Sequence, residues 1–489
     1  MFVKHNLIFL SLLITLSLTA QNQLISPFLG DIIQNQATTN HLMQKPTTLN
    51  INYINLDLSI LNNVNNLQLT FDNQNYTVSN DSILQRGHQN FSWFGSNTNG
   101  DGYIIISVLG NDVQGVIRKG IDSYRIVTSA ANLRKVIVKI DQSQYPQELC
   151  TFPKVNKQQS YNVDQNADKG YLKKALDTGC PLRALIMYTP AAEADLAADG
   201  TMTSNIINEI YNTVEEMNRS FINSEITNYS AVEIALIQEW NYTENVDMAV
   251  DLNSFKNDNY VKSLRETYDA DFCMLIGEDS EFYDGCGIAN TLQATYNTAF
   301  GVVANNCMKT FYTFAHELGH LLGTHHNVTS ADTAPPKAYA HGYIHFPGLW
   351  RTIMSYNAAP CGNTLYVNYC VRLGAWSNPD INHPEDMVPM GTASTENNAR
   401  VCREYNNNLA DLEQPATTIT LTNGNYASNN NVATNLQIKQ SISTSGNITI
   451  NNGADISLKA GERVTLNNGF KSRANAKVHV SIQQFDNCE

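Results

Sequence analysis

Four of the chain's 11 histidines and one glutamate fall within the stretch FAHELGHLLGTHHN, residues 314–327. Residues four apart lie on the same face of a helix, so His316 and His320 can bind one metal ion together. Glu317 would then lie beside the pair, able to approach a metal-bound water without being a ligand itself. This arrangement indicates a divalent metal site with hydrolytic chemistry.

The turn after this helix supplies a third ligand. Gly323 can adopt a positive φ, which would end the helix and bring His326 back towards the metal. His326 lies ten residues after His316 and completes the pattern H-E-x-x-H-x-x-G-x-x-H. With this composition roughly 3 in 100,000 such chains would contain the pattern by chance. The alternative, a helix whose histidines are merely solvated, is therefore disfavoured. Three ligands and one open position are what a catalytic zinc ion requires.

The complete pattern resembles that of the metzincin zinc peptidases. The segment WRTIMSYN is similar to their methionine turn, with Met354 as the methionine buried beneath the metal. Further segments occur in the order seen in bacterial reprolysin-like enzymes, especially the peptidyl-Asp metallopeptidases: RALIMYTPAAE, CGIAN, AFGVVANNC, WSNPD and MGTASTENNARV. The resemblance covers residues 180–414. It implies an α/β (α+β) metzincin catalytic domain with a twisted mixed sheet and an active-site helix.

The resemblance also implies a role for each residue of the motif. His316, His320 and His326 would hold one Zn²⁺, which lowers the pKa of its bound water and polarises the scissile carbonyl. Glu317 would take the proton of that water and deliver it to the leaving amine. Tyr356 occupies the place of a tyrosine that some metzincins hold near the metal, where it could bind the oxyanion or act as a fifth ligand. Otherwise it is a packed aromatic side chain.

His325 is the rival third ligand. It lies nine residues after His316, which is the wrong step for the family geometry. We expect it to be exposed beside the cleft or hydrogen-bonded locally. Ca²⁺ is a further candidate ion, but the sequence reveals no site for it.

Strands alternating with helices must position this centre. Short apolar runs predict strands, and apolar residues at helical spacing predict helices. The strands are expected at 182–189, 230–240, 271–278 and 299–306, the helices over 203–224 and roughly 247–267, with a late amphipathic stripe at 399–412. Such alternation favours an α/β layer.

The first part of the chain predicts export. MFVKHN is followed by the apolar run LIFLSLLITLSL and by Ala20, so residues 1–20 have the features of a signal peptide. The run is too short to span a bilayer comfortably. We therefore expect a protein secreted to the extracellular space or cell surface. Residues 21–150 are β-rich and 151–179 form a polar linker, so that 21–179 is well placed to be a propeptide.

Cys150 is the only cysteine ahead of the linker. In several metzincins a propeptide cysteine thiolate takes the open zinc position, where it would displace the catalytic water. The alternative is a disulfide with Cys180 or another cysteine. The nine cysteines are an odd number, so at least one is unpaired or pairs between chains. The simplest local pairs are Cys286 with Cys307 and Cys361 with Cys370.

Residues 415–489 are short β-prone runs separated by turn residues, which indicates a small, solenoid-like all-β module. The segment ISLKAGERVTLNNGF resembles repeats in the C-terminal β domains of secreted Bacteroidetes proteins. This similarity covers about the last seventy residues. It suggests contact with a surface or matrix.

The composition fits a multidomain, globular, acidic protein of 489 residues with a formal net charge of -14. No basic block is present, which disfavours nucleic acid as a partner. The sequence predicts a secreted zinc metalloendopeptidase that acts on proteins or peptides and is made as a zymogen. Two rivals remain: a peptidase with narrow activity that matures a partner, and an adhesin or binding protein with a degenerate protease domain.

Overall fold

The computed structural model describes residues 22–28, 36–61, 64–87, 89–130, 132–145, 181–198, 202–203, 205–226, 232–283, 285–331, 333–357, 361, 369–410 and, in shorter runs, 418–482. Among these residues no helix is both long and apolar enough to cross a membrane. The expected signal peptide, the polar linker, Cys150, Cys180 and Cys488 lie outside the described residues.

The N-terminal part of the chain forms a closed barrel. Its strands are β1 (Gln23–Pro27), β2 (Thr48–Leu56), β3 (Asn66–Phe71), β4 (Gln74–Gly87), β5 (Asn90–Asn97), β6 (Gly102–Leu109), β7 (Asp112–Lys119), β8 (Asp122–Ser129) and β9 (Lys135–Ile140). They lie in the order β8-β7-β6-β5-β4-β3-β1-β2-β9, and β9 pairs back onto β8. Closure leaves no free edge along the sheet. Apolar side chains that alternate along the strands, such as Trp93 and Ile106, fill the interior.

Three short helical segments accompany the barrel. They are helix α1 (Gln36–Gln44) and 3₁₀ turns at Leu58–Ile60 and Gln142–Gln144. The turn at Gln142–Gln144 is the last element of the described N-terminal region, and its Gln142 contacts Arg372 in the region that follows. The β-rich character expected for residues 21–150 is confirmed.

A five-stranded mixed sheet lies at the centre of the next region. Its strands are β10 (Arg183–Tyr188), β12 (Glu233–Glu239), β13 (Phe272–Gly277), β14 (Gly287–Ala289) and β15 (Phe300–Ala304), while the short β11 (Met202–Thr203) pairs instead with β8 of the barrel. The order is β12-β10-β13-β15-β14, parallel except for β14, which runs antiparallel to β15. β10, β13 and β15 are buried along their whole length. This explains why their sequences are continuous apolar runs.

Helices cover both faces of this sheet. They are α2 (Pro190–Ala198), α3 (Ile206–Asn223), α4 (Met248–Asn257), α5 (Asn259–Tyr268), α6 (Ser280–Tyr283), α7 (Thr313–Leu322) and α8 (Asn398–Ala410), with a 3₁₀ turn at Tyr296–Thr298. Alternate strand residues point to opposite faces, so Ile186 packs with α3 and α7 while Leu185 packs with α4 and α5. The helical segment expected over 247–267 is two helices, because Asp258 interrupts it and its carboxylate caps the second by accepting from the amides of Tyr260 and Val261.

Short strands surround the helix that carries the histidines. They are β16 (Ile344–His345), β17 (Trp350–Arg351), β18 (Val371–Arg372), β19 (Asn378–Asn382) and β20 (Pro389–Met390). β17 pairs antiparallel with β16 and parallel with β18, and β19 pairs with β20. These strands hold the connections after α7 in place, including the methionine turn between β17 and β18.

The C-terminal strands stack as three coils. They are β21 (Thr418–Leu421), β22 (Gly424–Tyr426), β23 (Thr434–Ile438), β24 (Ser441–Thr444), β25 (Ile448–Ile450), β26 (Asp455–Ala460), β27 (Arg463–Thr465), β28 (Phe470–Ser472) and β29 (Lys477–Ile482). Each strand pairs in parallel with its counterpart in the next coil, giving three three-stranded sheets around an isoleucine-rich core. Among the described residues this parallel stacking has the form of a short solenoid. Lys459 Nζ lies 3.5 Å from Glu233 Oε1, which joins the stack to β12.

Candidate metal centre

Helix α7 carries the first two histidines and ends where the motif predicts. All ten of its residues are buried, so the helix lies within the core rather than on the surface. Gly323 follows it with a φ of +97°, and its amide donates to the carbonyls of Gly319 and His320. A left-handed glycine in this position ends a helix without the steric penalty that a Cβ would bring. The chain then returns towards the helix through Thr324.

The three expected ligands converge. The Nε2 atom of His320 lies 3.1 Å from Nε2 of His316 and 3.1 Å from Nε2 of His326. All three side chains are buried, and one nitrogen of each lies within 4.8 Å of the others. Among the described residues this is the one cluster of its kind. The structure therefore brings together the three residues that the sequence predicts.

The hydrogen bonds of the rings fit a cation. Nδ1 of His316 lies 3.0 Å from the carbonyl oxygen of Ile353, and Nδ1 of His320 lies 3.0 Å from that of Thr324. A carbonyl can only accept, so both Nδ1 atoms carry the proton and both Nε2 atoms present lone pairs. Lone pairs that face each other at close range repel unless a cation lies between them. The donor set and its spacing thus fit a zinc ion.

Burial keeps the three imidazoles neutral. It lowers the pKa of His316 well below the usual value, and the charges of Arg372 and Arg351 lower it further. Burial likewise lowers the pKa of His320 and His326, and each is lowered further by the neighbouring histidines. Neutral imidazole is the form that binds a metal.

Glu317 lies on the same helix and is fully buried. Strand β14 passes directly over it at Gly287. A Cβ added to Gly287 would lie 2.7 Å from Glu317 Oε1 and 2.6 Å from Thr313 Cγ2. Only a residue without a side chain therefore leaves room for the carboxylate. The disulfide Cys286–Cys307, one of the two local pairs expected, joins the start of this strand to the segment after β15.

Met354 packs beneath the helix as expected. It is fully buried, and its Sδ would lie 2.5 Å from a Cβ added to Gly319. The same Cβ would lie 2.7 Å from Trp376 Cζ3 and from Thr324 Oγ1. Gly319 therefore allows the methionine turn to approach the helix between the two histidines. The second expected disulfide, Cys361–Cys370, lies in the connection that follows this turn.

Tyr356 lies over the third histidine. Its ring centroid is 3.9 Å from that of His326 and 6.0 Å from that of His316. Its backbone amide donates to Asn327 Oδ1 over 2.9 Å, and this bond connects the methionine turn to the residue after His326. The structure thus places the tyrosine at the centre rather than elsewhere in the core.

His325 lies outside the cluster of three histidines, and of the two expectations for it the structure shows local hydrogen bonds rather than exposure. The side chain is fully buried. Its Nε2 lies 3.1 Å from both the carbonyl oxygen and Oγ1 of Thr333, and its Nδ1 accepts from the His326 amide over 2.9 Å. His325 and His341 also form an isolated backbone bridge. The local hydrogen bonds, which were the other expectation, hold the turn that presents His326.

Two buried arginines beside the methionine turn were missed from the sequence. Arg351 and Arg372 are register partners on β17 and β18, and both donate to the carbonyl oxygen of Ser355. Both lie in segments close to the metal motif, but nothing in their spacing indicates that they meet. Only the parallel pairing of two short strands brings them together.

Comparison with known proteins agrees with this geometry. The family model of the M12 metallo-peptidases, of the reprolysin type, matches residues 185–367. This range includes the sheet, helix α7, the three histidines and the methionine turn. It excludes the N-terminal barrel and the C-terminal coils.

The chain is similar to relatives that bear the name peptidyl-Asp metalloendopeptidase. The proteins from Stenotrophomonas maltophilia (strain K279a) and Xanthomonas campestris pv. campestris are each 32% identical over 310 residues, which cover 67% of their length and 61% and 62% of this chain. The protein from Pseudomonas fragi is 30% identical over 169 residues, covering 85% of its length and 34% of this chain. A solved structure titled "Structure of a chaperone-substrate complex" is 15% identical with a TM-score of 0.37, over 61% of this chain and 40% of that one. That similarity is too low to bear on function. The chain belongs to the reprolysin-like M12 metallopeptidases and is a zinc metalloendopeptidase.

Proposed function

We propose that this protein is a secreted endopeptidase made as a zymogen, in which His316, His320 and His326 hold one zinc ion and Glu317 is the general base. The observation that carries the proposal is the convergence of three neutral imidazole nitrogens next to a buried carboxylate. When bound there, zinc would supply a Lewis acid that polarises the scissile carbonyl and makes a water more acidic.

The protein's own groups handle the protons and the substrate. Glu317 accepts a proton from the attacking water and delivers it to the leaving amine, as a general base that becomes a general acid. Its burial keeps bulk water away from the carboxylate and strengthens its electrostatic interactions. Tyr356, which lies over His326, donates a hydrogen bond from its phenol to the oxyanion that develops on the carbonyl oxygen.

The replacement Glu317→Gln tests this assignment. It keeps the size of the side chain but removes the base, so kcat/KM on a casein-type substrate should fall by about 10²–10⁴-fold. The zinc content should stay at that of the wild type, because the three histidines are unchanged. Glu281→Gln is the matched control, since Glu281 is exposed on α6. Equal cleavage by the Glu317→Gln variant and the wild type would refute the mechanism, whereas no cleavage by the activated wild type would favour a non-catalytic binding role.

The substrate class is proposed from the relatives. Their name, peptidyl-Asp metalloendopeptidase, suggests that this chain also cleaves proteins or peptides next to an aspartate. We assign the catalytic domain to residues 180–414 and the propeptide with its linker to 21–179. The C-terminal module, 415–489, is assigned a surface or matrix contact.

The interface between the barrel and helix α3 supports a removable N-terminal domain. The helix has a row of buried polar residues on its barrel side: Asn208, Glu209, Asn212, Glu215 and Glu216. Asn208 Nδ2 donates to Asp112 Oδ2 over 2.8 Å, and Arg118 pairs with Glu216 over 2.7 Å. Polar residues at such a density are typical of surfaces that must also tolerate water, since a permanent core favours apolar contacts.

The same interface reaches the start of the active-site helix. Arg118 also donates to the carbonyl of Thr310, and Tyr103 shares a hydrogen bond of 2.8 Å with the Tyr312 hydroxyl. Secretion is proposed from the signal peptide expected at residues 1–20, and the two disulfides are consistent with an oxidising compartment. Cleavage within 151–179 would separate the barrel from the catalytic domain.

A further inference from the structure

Two guanidinium groups lie side by side next to the metal centre. Arg351 and Arg372 are Cα partners in the parallel pairing of β17 with β18. Side chains of register partners project to the same face of a sheet, so the two cations converge. Both donate to the carbonyl oxygen of Ser355, and both lie over the ring of Phe311, with 5.6 Å and 4.6 Å between the guanidinium carbon and the ring centroid.

Their position places them beside the methionine turn. Ser355 lies between Met354 and Tyr356, so the carbonyl that the two arginines share belongs to the methionine turn itself. The charges of Arg372 and Arg351 also contribute to the low pKa of His316. The pair therefore makes the wall of the site beyond the methionine turn positive.

Two neighbouring cations are a suitable receptor for a carboxylate. The exposed fractions of Arg351 and Arg372 are 1% and 0%. Arg351 also donates to the Cys370 carbonyl and the Tyr369 hydroxyl, and Arg372 donates to the Phe311 carbonyl, so neutral oxygens offset part of the repulsion between the two charges. A bound anion would offset it further. A guanidinium also matches the two oxygens of a carboxylate geometrically, so an acidic side chain can be bound by paired hydrogen bonds.

The N-terminal region covers this pair. Arg372 donates its backbone amide to Gln142 Oε1 over 2.8 Å, and Gln142 Nε2 donates to the Arg372 carbonyl over 3.2 Å. The side-chain amide of Gln142 thus mimics a neighbouring strand along the edge of β18. Three residues later Tyr145 stacks on Phe311, with ring centroids 4.7 Å apart and planes 9° apart. Departure of this turn would uncover the strand edge and the space over Phe311.

We propose that Arg351 and Arg372 form the subsite that binds the acidic side chain of the substrate next to the scissile bond, and that the Gln142–Tyr145 turn blocks this subsite in the precursor. This inference rests on the proposed function, because it assigns a substrate contact to the same active site. The two arginines would determine specificity because their paired guanidinium groups bind one aspartate carboxylate of the substrate. The strand edge of β18 would align the backbone of the same substrate.

The test measures kcat/KM for the cleavage of matched peptides by the full-length protein after its activation by limited proteolysis of the 151–179 linker. The peptides differ only by Asp or Asn next to the scissile bond, on its N-terminal side in one series and on its C-terminal side in the other. The wild type should prefer Asp over Asn by about 30-fold or more in kcat/KM in one series, the ratio expected for a desolvated charge pair. Arg372→Met and Arg351→Met should reduce that ratio towards one, because each removes a charge that distinguishes Asp from Asn. Arg372→Lys should retain part of the preference.

Several results would overturn the inference. One is a wild-type ratio of kcat/KM for Asp over Asn near one in both series, and another is an unchanged ratio in both methionine variants. A third is an equal loss of kcat/KM on the Asp and Asn peptides, which would show that the arginines only stabilise the methionine turn. Arg400→Met is the matched control, since Arg400 lies on α8 with about half of its side chain exposed. If no peptide is cleaved in a chelator-sensitive way, the proposed function fails and this inference fails with it.

A measurement on the wild type covers the case in which the variants do not fold. Phenylglyoxal modifies accessible arginines, and peptide mapping locates the modified residues in the activated enzyme. The Asp peptide should slow modification of Arg351 and Arg372 relative to the Asn peptide, and the unprocessed precursor should resist it at both positions. Equal protection by the two peptides would refute the assignment.

Discussion

Replacing Gly287 by alanine should reduce catalysis without removing the metal. The added Cβ would lie 2.7 Å from Glu317 Oε1 and 3.0 Å from its Cγ, whereas ordinary van der Waals contact begins at 3.4 Å. Thr313 Cγ2, at 2.6 Å, blocks the other side. The carboxylate must therefore move by about 0.7 Å to reach ordinary contact with the new methyl group, the difference between 3.4 and 2.7 Å.

The expected magnitude follows from this displacement. A misplacement of about 1 Å in a catalytic group can reduce the rate by about 10²-fold, so kcat should fall by about 10–100-fold. Overpacking should lower the free energy of unfolding by about 1–3 kcal/mol, partly offset by about 0.5–1 kcal/mol from the smaller entropy of the unfolded chain. The histidines are not displaced by the methyl group, so zinc stoichiometry should stay at the wild-type value.

The assay combines kcat/KM on a protein substrate, zinc content by atomic absorption, and a thermal melt. Thr313→Ser provides the control, because it deletes the closest of the three obstructing atoms and should partly restore activity to the Gly287→Ala variant. Full activity of Gly287→Ala would refute the geometry. Loss of activity in proportion to loss of zinc would show that the methyl group acts on the ligands and not on Glu317.

Three further outcomes are expected. Gly319→Ala should be destabilised by about 1–3 kcal/mol although alanine favours helices, because its Cβ would meet Met354 and Trp376. If denaturant titrations showed a stabilised variant, this packing would be contradicted. The metal-free protein should lose stability as the pH falls below about 6.5, because burial lowers the pKa of the three histidines in the folded protein, so that only the unfolded chain takes up protons in this pH range. An unchanged melting temperature between pH 7.5 and 5 would refute this prediction. Cys150→Ser should give an unstable or prematurely active precursor if the thiolate occupies the open zinc position, and unchanged latency in a precursor activity assay would count against that role.

The ligand set could be predicted because its geometry is local. His316 and His320 are fixed by the helix repeat, and Gly323 fixes the turn that returns His326. Uniformly apolar strands such as β13 could be predicted equally well, because a strand that is buried on both faces has a continuous apolar sequence. These features depend on neighbours within about ten residues.

Contacts between distant segments could not be predicted. Gly287 lies thirty residues before Glu317, and only the antiparallel pairing of β14 places it over the helix. The sequence left His325 either exposed beside the cleft or hydrogen-bonded locally, and only the fold shows that Thr333 covers it and supplies two acceptors. Neither sequence period nor motif spacing carries information about such a covering segment.

The start of helix α7 shows how closely the barrel is connected to the catalytic centre. Thr310 and Tyr312 have φ values of 67° and 62°, a conformation that is rare for residues with a side chain and costs on the order of 1–3 kcal/mol at each position. Tyr312 is the N-cap of the helix and has no side-chain capping bond. Two barrel residues hold this segment: Arg118 binds the Thr310 carbonyl and lies over the Tyr312 ring, and Tyr103 bonds to its hydroxyl. Since His316 is only four residues further along, contacts made by the barrel stabilise the backbone from which the first ligand projects. The N-terminal region therefore contacts the segments around the centre at two places: the start of α7 and, through the Gln142–Tyr145 turn, Arg372 and Phe311.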